Sequence, residues 1–277
     1  MANTRLEVAN DLVTRACEGD ARAVEEIVRA LERPVYNVAL RMLLDRQDAE
    51  DATQESLVRI VTHLGQFRGE ARFSTWAWRI AVRRILDFRE QRAAAARFTF
   101  ADFAADLGEG LEEDAVERAD DAILHQQLKV VCSRAMLQCL DGDHRIAFIL
   151  GEILELSSTE AAEILLVDAA TFRKRLSRAR AALAEFLNRN CGVVNSAAPC
   201  ACHRRLSCAI QRGRVDRSEV DGQDGDLVAL RTHLQQLSEA QRLAAFYRSE
   251  PDRRSSRDFV AAVRSLLSQA HPMKEPS

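Results

Sequence analysis

The sequence is poor in residues that interrupt helices, with only five prolines and eleven glycines among 277 residues. Ala, Leu, Arg and Glu are abundant instead, and these residues favour helices. A hydrophobic fraction of 47% excludes wholesale disorder. The length suits two or three small domains better than one core. We therefore expect an all-α protein built from several small domains.

The chain also lacks apolar segments of the kind that enter membranes. Polar residues at Asn3, Arg5, Glu7 and Asp11 interrupt the first segment, so we expect no signal peptide. No apolar run approaches the length of a membrane span. We expect a cytoplasmic protein, whose seven cysteines are then reduced thiols or metal ligands rather than disulfides.

Motifs typical of enzymes are missing as well. The sequence has no Gly-rich phosphate loop, no nucleophile elbow and no paired carboxylates with a cleft signal. Its six histidines are scattered along the chain. We do not expect an enzyme.

Charge is distributed unevenly, although the formal net charge is only −3. Residues 68–97 hold eight arginines against three acids, and residues 169–184 hold five basic residues and no acid. Between them, residues 98–121 hold nine acids against one arginine. Two basic islands indicate a polyanionic partner more clearly than the total charge does.

Helical patterning divides the chain into four segments. Residues 8–97 are predicted as consecutive helices and residues 98–121 as a flexible acidic linker. Residues 122–187 return to helical patterning, and their last part has a short helix, a tight turn and a longer basic helix, which predicts a helix-turn-helix. Residues 188–277 are predicted as a Cys-containing, helical extension.

The predicted helix 48–64 is amphipathic. An apolar stripe runs along one side, and Asp48 is the expected N-cap. Its polar face carries Asp48, Asp51, Gln54 and Glu55.

Residues 72–90 combine tryptophans with arginines. We expect Trp76 to face the core, Arg79 and Arg83 to lie one turn apart, and Trp78 to lie on a face beside these arginines. Such a helix could hold strand-separated DNA, because unstacked bases bind aromatic faces and cationic grooves. The alternative is that both tryptophans belong to the core and that the arginines are solvated.

The stretch DAEDATQESLVRIVTHLGQFRGEARFSTWAWRIAVRRILDFRE (48–90) resembles region 2 of the sigma-70 family, in particular its extracytoplasmic-function (ECF) group. The resemblance implies that Asp48, Asp51, Gln54 and Glu55 dock on the clamp helices of the RNA polymerase β′ subunit. It also implies a set of residues that capture the −10 promoter element as it melts: Phe67, Arg68, Phe73, Ser74, Thr75, Trp78, Arg79 and Arg83.

Residues 157–187 resemble region 4 of the same family, which reads the −35 element and meets the polymerase β flap. Leu166 and Ala170 stand where the family often has glycine, which puts the turn geometry in question. From the residues alone, a basic amphipathic helix on a bundle surface is an alternative. The expected −35 contacts are Thr171, Arg173, Lys174, Ser177, Arg178 and Arg180.

This order of modules implies a sigma factor that binds core RNA polymerase and promoter DNA, with an anti-sigma factor as a further candidate partner. The acidic linker could thread polymerase channels built for nucleic acid, or it could be a solvated spacer. A stand-alone helix-turn-helix regulator is the alternative function, although such a protein has no use for a strand-melting module.

Four cysteines and one histidine lie within eighteen residues of the extension. Their spacing matches no standard zinc finger. A zinc site, a redox-responsive thiol cluster and a metal-free structural loop remain open as interpretations. The candidate ligands are Cys191, Cys200, Cys202, His203 and Cys208.

Overall fold

The computed structural model describes residues 8–92, 98–216 and 227–270, and all regular elements in these ranges are helical except one isolated β-bridge. The expected all-α fold is confirmed. The α-helices are α1 (Asn10–Cys17), α2 (Ala21–Leu43), α3 (Arg46–Thr62), α4 (Phe73–Arg92), α5 (Phe100–Gly108), α6 (Ala122–Gln138), α7 (Gly142–Phe148), α8 (Ser158–Leu165), α9 (Ala169–Asn190), α10 (Cys202–Gln211), α11 (Leu227–Gln235), α12 (Glu239–Arg248) and α13 (Phe259–Ala270).

The chain forms two compact units. Of the described residues, the first unit comprises 8–92, 157–171 and 252–270, and the second comprises 98–156, 172–216 and 227–251. The boundaries of these units differ from those of the four predicted sequence segments. The division of the chain into four functional segments stays a prediction. None of the described helices is long and apolar enough to cross a membrane.

The first unit is built on α2, α3 and α4. Asp20 caps α2 by accepting hydrogen bonds from two amides of its first turn, and Asp45 caps α3 by accepting from the amide of Asp48 at 2.8 Å. The expected N-cap at Asp48 was therefore wrong, because Asp45 provides the cap three residues earlier. Alanines of α3 and α4, including Ala52 and Ala81, are fully buried and let the helices pack closely.

The second unit centres on α6, α7, the π-helical turn Ile149–Ile153 and α9. At Gly151 a Cβ atom would lie 2.6 Å from a methyl carbon of Leu176, so a larger residue there would require the Leu176 side chain of α9 to shift. Tyr247 of α12 packs edge-on against Phe148 of α7, with ring centres 4.9 Å apart.

The acidic segment 98–121 is not simply a flexible linker, and this expectation is corrected. Its first part forms α5, which begins with a reciprocal capping box between Thr99 and Asp102. Phe103 of α5 stacks on Phe186 of α9 at 5.4 Å. The apolar residues at 100, 103 and 107 share one helical face, and this weak periodicity was the overlooked signal.

The extension after residue 188 contributes to both units. Within the second unit, the buried ammonium of Lys129 donates to the Phe246 carbonyl at 2.6 Å, and Arg134 donates to the buried carboxylate of Glu250. Residues 202–211 of the Cys-containing extension form α10. The described parts of the extension are thus folded into the protein, and several of their charged side chains have partners upstream in the chain.

Candidate protein and nucleic-acid interfaces

The structure places the predicted polar face on α3, in the first unit. Arginine side chains contact this face. Arg257, which precedes α13, donates to Asp51 at 2.8 Å and to Gln54 at 3.0 Å. Arg92 of α4 lies 2.8 Å from a carboxylate oxygen of Asp48. These partners show that the face is built to receive basic groups.

Burial raises the pKa of Asp48, and the nearby Arg92 opposes that rise. Glu55 has a different partner, because Arg84 of α4 donates to its carboxylate at 2.7 Å. The four residues expected to dock on polymerase are therefore brought together on one helix, each with a cationic neighbour.

Three aromatic rings cluster where the loop after α3 meets α4. Phe67, Phe73 and Trp76 have ring centres 5.4 to 5.7 Å apart. Phe67 and Trp76 are only half-buried, whereas Phe73 is 5% exposed. Partly exposed aromatic faces of this kind can stack on unpaired bases.

The expected role of Trp78 at the DNA surface is corrected. Its side chain is buried at 2% exposure, on the same helical stripe as Ala81, Val82 and Ile85. That i, i+3, i+4, i+7 spacing was available in the sequence and indicates a core position. Trp76, which we expected to face the core, belongs to the half-exposed aromatic cluster instead.

The remaining residues expected at the −10 element differ in exposure. Arg68 and Arg83 are exposed, and Ser74 is half-buried. Thr75 is buried at 5% exposure, so its hydroxyl is not available to DNA in this arrangement. Arg79 is partly exposed and donates to Glu163 of α8 at 3.1 Å.

A second ion pair connects the residue just before α4 to α8. Arg72, whose side chain is 81% exposed, lies 3.6 Å from Glu160. Arg72 was not among the predicted DNA contacts, although it lies next to Phe73 of the aromatic cluster. Its position in the basic island 68–97 was the signal.

The turn between α8 and α9 is strained at one residue. Leu166 adopts a left-handed conformation with φ 55° and ψ 43°, which is unusual for a residue with a side chain. Asp168 then caps the start of α9, accepting hydrogen bonds from the amide and the hydroxyl of Thr171, each at 2.7 Å. The Thr171 hydroxyl is therefore engaged in the helix cap.

The N-terminal half of α9 presents a polar, basic surface. Arg173, Lys174 and Arg178 are exposed, and within the described part of the chain they form no ion pair. Ser177 is exposed beside them. Arg180 differs, because its guanidinium donates to Glu152 at 2.6 Å.

The cysteines separate into two groups. Cys191, Cys200 and Cys202 line one small cavity of about 30 Å³ together with Cys132 of α6. Cys208 lies against Gly110 instead, since a Cβ atom there would be 2.9 Å from its sulfur. His203 and Cys208 are not among the residues that line this cavity.

Burial raises the pKa of all four cavity thiols, so they are protonated near neutral pH. For Cys200 the pKa rises to about 11. Among the described residues, no group of three or more His, Cys, Asp or Glu side chains is arranged to hold a metal ion. The structure therefore brings four buried thiols around one cavity.

Comparison with known proteins identifies two family segments. Residues 27–95 match the family model for sigma-70 region 2, and residues 132–183 match the model for sigma-70 region 4. These segments contain the α3–α4 surfaces and the basic half of α9.

Two curated relatives each match about three fifths of the chain. The RNA polymerase sigma-H factor of Pseudomonas aeruginosa is 30% identical over 180 residues, which are 64% of this chain and 92% of the relative. The ECF RNA polymerase sigma factor SigW of Bacillus subtilis is 30% identical over 169 residues, 60% of this chain and 89% of SigW.

A solved structure of CnrH in complex with the cytosolic domain of CnrY aligns with a TM-score of 0.48 and 22% identity, covering 64% of this chain and 96% of that one. The family assignment rests on the sequence matches, because a curated relative is matched along nearly its whole length. The chain belongs to the sigma-70 family of RNA polymerase sigma factors, in the ECF group.

Proposed function

We propose that this sigma factor uses three separate surfaces to start transcription. The polar face of α3 binds the clamp helices of the polymerase β′ subunit. The aromatic cluster and the arginines of α4 bind the melted −10 element. The basic N-terminal half of α9 reads the −35 element, while the surrounding region 4 module meets the β flap.

The observation that carries this proposal is the arrangement at the start of α4. Half-buried Phe67 and Trp76 lie in one aromatic cluster, and α4 continues with the arginines Arg79 and Arg83. Opening a duplex costs a few kcal/mol of unstacking for each base. Aromatic faces offset that cost by stacking, and arginines hold the phosphates.

The exposed side chains of α9 divide into two roles. Arg173, Lys174 and Ser177 lie near the helix start, where a recognition helix reaches base edges. Arg178 lies one turn further along and is suited to a phosphate. The guanidinium of Arg180 donates to Glu152. We therefore propose that Arg180 has a structural role and is not a primary DNA contact.

A stand-alone helix-turn-helix regulator is less consistent with these surfaces, because it leaves the region 2 module over residues 27–95 without a role. We propose a non-enzymatic initiation subunit that acts in the cytoplasm, where it meets the polymerase. An anti-sigma factor is a further partner that the family membership predicts.

The experiment that tests this proposal separates polymerase binding from promoter opening. In the full chain, Arg79→Ala plus Arg83→Ala should abolish promoter opening and leave core-polymerase affinity unchanged. A charge-matched control, Arg22→Ala plus Arg29→Ala on α2, should leave both unchanged. If the first pair of substitutions abolished core binding instead, the assigned roles would be wrong.

A further inference from the structure

We propose that residues 252–266 compete with RNA polymerase. This segment binds the polymerase-docking face of α3 in the same chain. The segment contacts both α2 and α3, and it engages two of the four residues assigned to the β′ clamp helices. This inference rests on the proposed function of α3. It gives the C-terminal segment a regulatory task, because polymerase and the segment would exclude each other from the same side chains.

The centre of the contact is Arg257. Its guanidinium donates to Asp51 at 2.8 Å and to Gln54 at 3.0 Å, and it lies 3.8 Å from Glu50. Ser255 donates to Glu50 at 2.8 Å. Two carboxylates and one amide on consecutive turns of α3 are thereby occupied by a short stretch of the segment.

The segment is also fixed to α2 through its backbone. The side-chain amide of Asn37 donates to the Arg253 carbonyl at 2.9 Å and accepts from the Arg253 amide at 2.8 Å. Arg33 donates to the Asp252 carbonyl at 3.0 Å. Asn37 is 1% exposed, so this two-way hydrogen bond satisfies a polar side chain that is costly to bury alone.

Among the described side chains of α13, which are those of residues 259–266, the buried apolar ones form one stripe. Phe259 and Val263, one helical turn apart, are each 2% exposed, and the Phe259 ring centre lies 6.2 Å from that of Tyr36. Arg264 forms an ion pair with Glu25 on the exposed side of the contact. Within residues 252–266 the contact therefore combines two buried apolar side chains with polar bonds, and this composition suits a segment that can leave.

Charge complementarity supports the same conclusion. Residues 252–264 carry four arginines against two aspartates, and the face that they contact is the acidic side of α3. A protein partner that docks on this face must present cations to the same carboxylates. Arg257 would then have to withdraw before Asp51 and Gln54 could pair with polymerase, so the free chain binds polymerase only in the fraction of molecules whose segment has left.

The first test measures the affinity of core RNA polymerase for three forms of the full chain. Arg257→Ala plus Phe259→Ala removes the polar and the apolar anchor, and this released variant should bind core polymerase about tenfold more tightly than the unaltered chain. Arg254→Ala is the matched control, because Arg254 is exposed in the same segment. It should bind as the unaltered chain does. Equal affinity of all three forms would overturn the competitor proposal and leave the function of α3 intact.

A further substitution separates the two proposals. Asp51→Arg in the released variant should abolish the gained affinity, because it reverses the charge at the docking face. If the released variant bound equally well with and without Asp51→Arg, the assigned function of α3 would fail, and the competitor proposal would fail with it.

Hydrogen exchange on the unaltered chain provides a readout that does not depend on how the variants fold. Amides of residues 262–266 should be protected in the free chain and should lose that protection when saturating core polymerase is added. Retained protection in the complex would show that polymerase and the segment bind together, which contradicts competition.

Discussion

Arg84 of α4 donates from Nε to the Glu55 carboxylate of α3 over 2.7 Å, and its side chain is only 13% exposed. The same guanidinium lies 4.5 Å from the ring centre of Phe88, within the range of a cation–π interaction. Held on both sides, Arg84 joins the two helices that carry the proposed polymerase and −10 DNA surfaces. The two surfaces therefore have a fixed geometry relative to each other.

The two tryptophans of α4 should respond differently to truncation. Trp78→Ala should lower the free energy of unfolding by about 3–5 kcal/mol, because it leaves a cavity in the core. Trp76→Ala should lower the free energy of unfolding less than Trp78→Ala does. It should impair promoter opening, because stacking of one base on an aromatic ring contributes about 1–3 kcal/mol. Urea denaturation and an open-complex assay measure these effects. Normal opening by Trp76→Ala would exclude the aromatic cluster from DNA binding.

Three arginines of α9 should give three different results in a binding assay with −35 variants. Arg173→Ala should cost about 1–3 kcal/mol and relax selectivity at one base pair. Arg178→Ala should weaken binding to all sequences equally. It should also reduce the slope of log binding constant against log salt concentration by about one. Arg180→Ala should leave binding nearly unchanged and reduce stability, because Glu152 is 5% exposed and loses a partner. A sequence-specific loss from Arg180→Ala would return this residue to the DNA surface.

Much of this architecture is predictable from the sequence. The polar face of α3, the basic half of α9 and the helices after residue 122 follow from periodicity and charge, which are local properties. Two features were missed because they depend on distant residues. Asp106 is paired with arginines about one hundred positions later, and Asp51 is paired with Arg257. The wrong prediction for Trp78 has a different cause. Its apolar stripe with Ala81, Val82 and Ile85 is a local pattern that the sequence already contains.

The carboxylate of Asp106 should be important for stability. It accepts from Arg214 at 2.5 Å and from the buried Arg205 at 2.8 Å. Asp106→Asn should therefore lower the free energy of unfolding at pH 7 by about 2–4 kcal/mol, because Arg205 keeps a buried charge with weaker compensation. Glu113→Gln, an exposed position in the same acidic stretch, should change stability by less than about 0.5 kcal/mol.

The pH dependence follows from the pKa of Asp106, which hydrogen bonding from Arg214 and the charges of Arg205 and Arg212 hold below its ordinary value. The folded pKa is below the unfolded one, so the carboxylate stabilises the fold fully above the unfolded pKa, and this contribution is lost as the pH falls through the folded pKa. The difference between Asp106→Asn and the unaltered chain should shrink below about pH 4. A difference that stayed constant as the pH fell below about 4 towards full protonation would contradict this account.

The cavity thiols should resist alkylation in the folded protein. With a pKa of about 11, Cys200 is a thiolate in only about one molecule in a thousand at pH 8. Iodoacetamide should label Cys191, Cys200 and Cys202 slowly in the native chain and rapidly in urea, as peptide mass spectrometry can measure. Fast native labelling would support a redox-responsive cluster, and one zinc per purified chain would restore the metal hypothesis.

The most direct test of the polymerase-docking face is a crosslinker at its centre. A photoreactive benzoylphenylalanine replacing Gln54 in the full chain, irradiated with saturating core polymerase, should attach to the clamp helices of β′. The same probe replacing Arg189, exposed near the end of α9, should leave those helices unlabelled. Attachment of the Gln54 probe only to residues 252–266, or to another polymerase subunit, would contradict the assignment of α3 as the docking face.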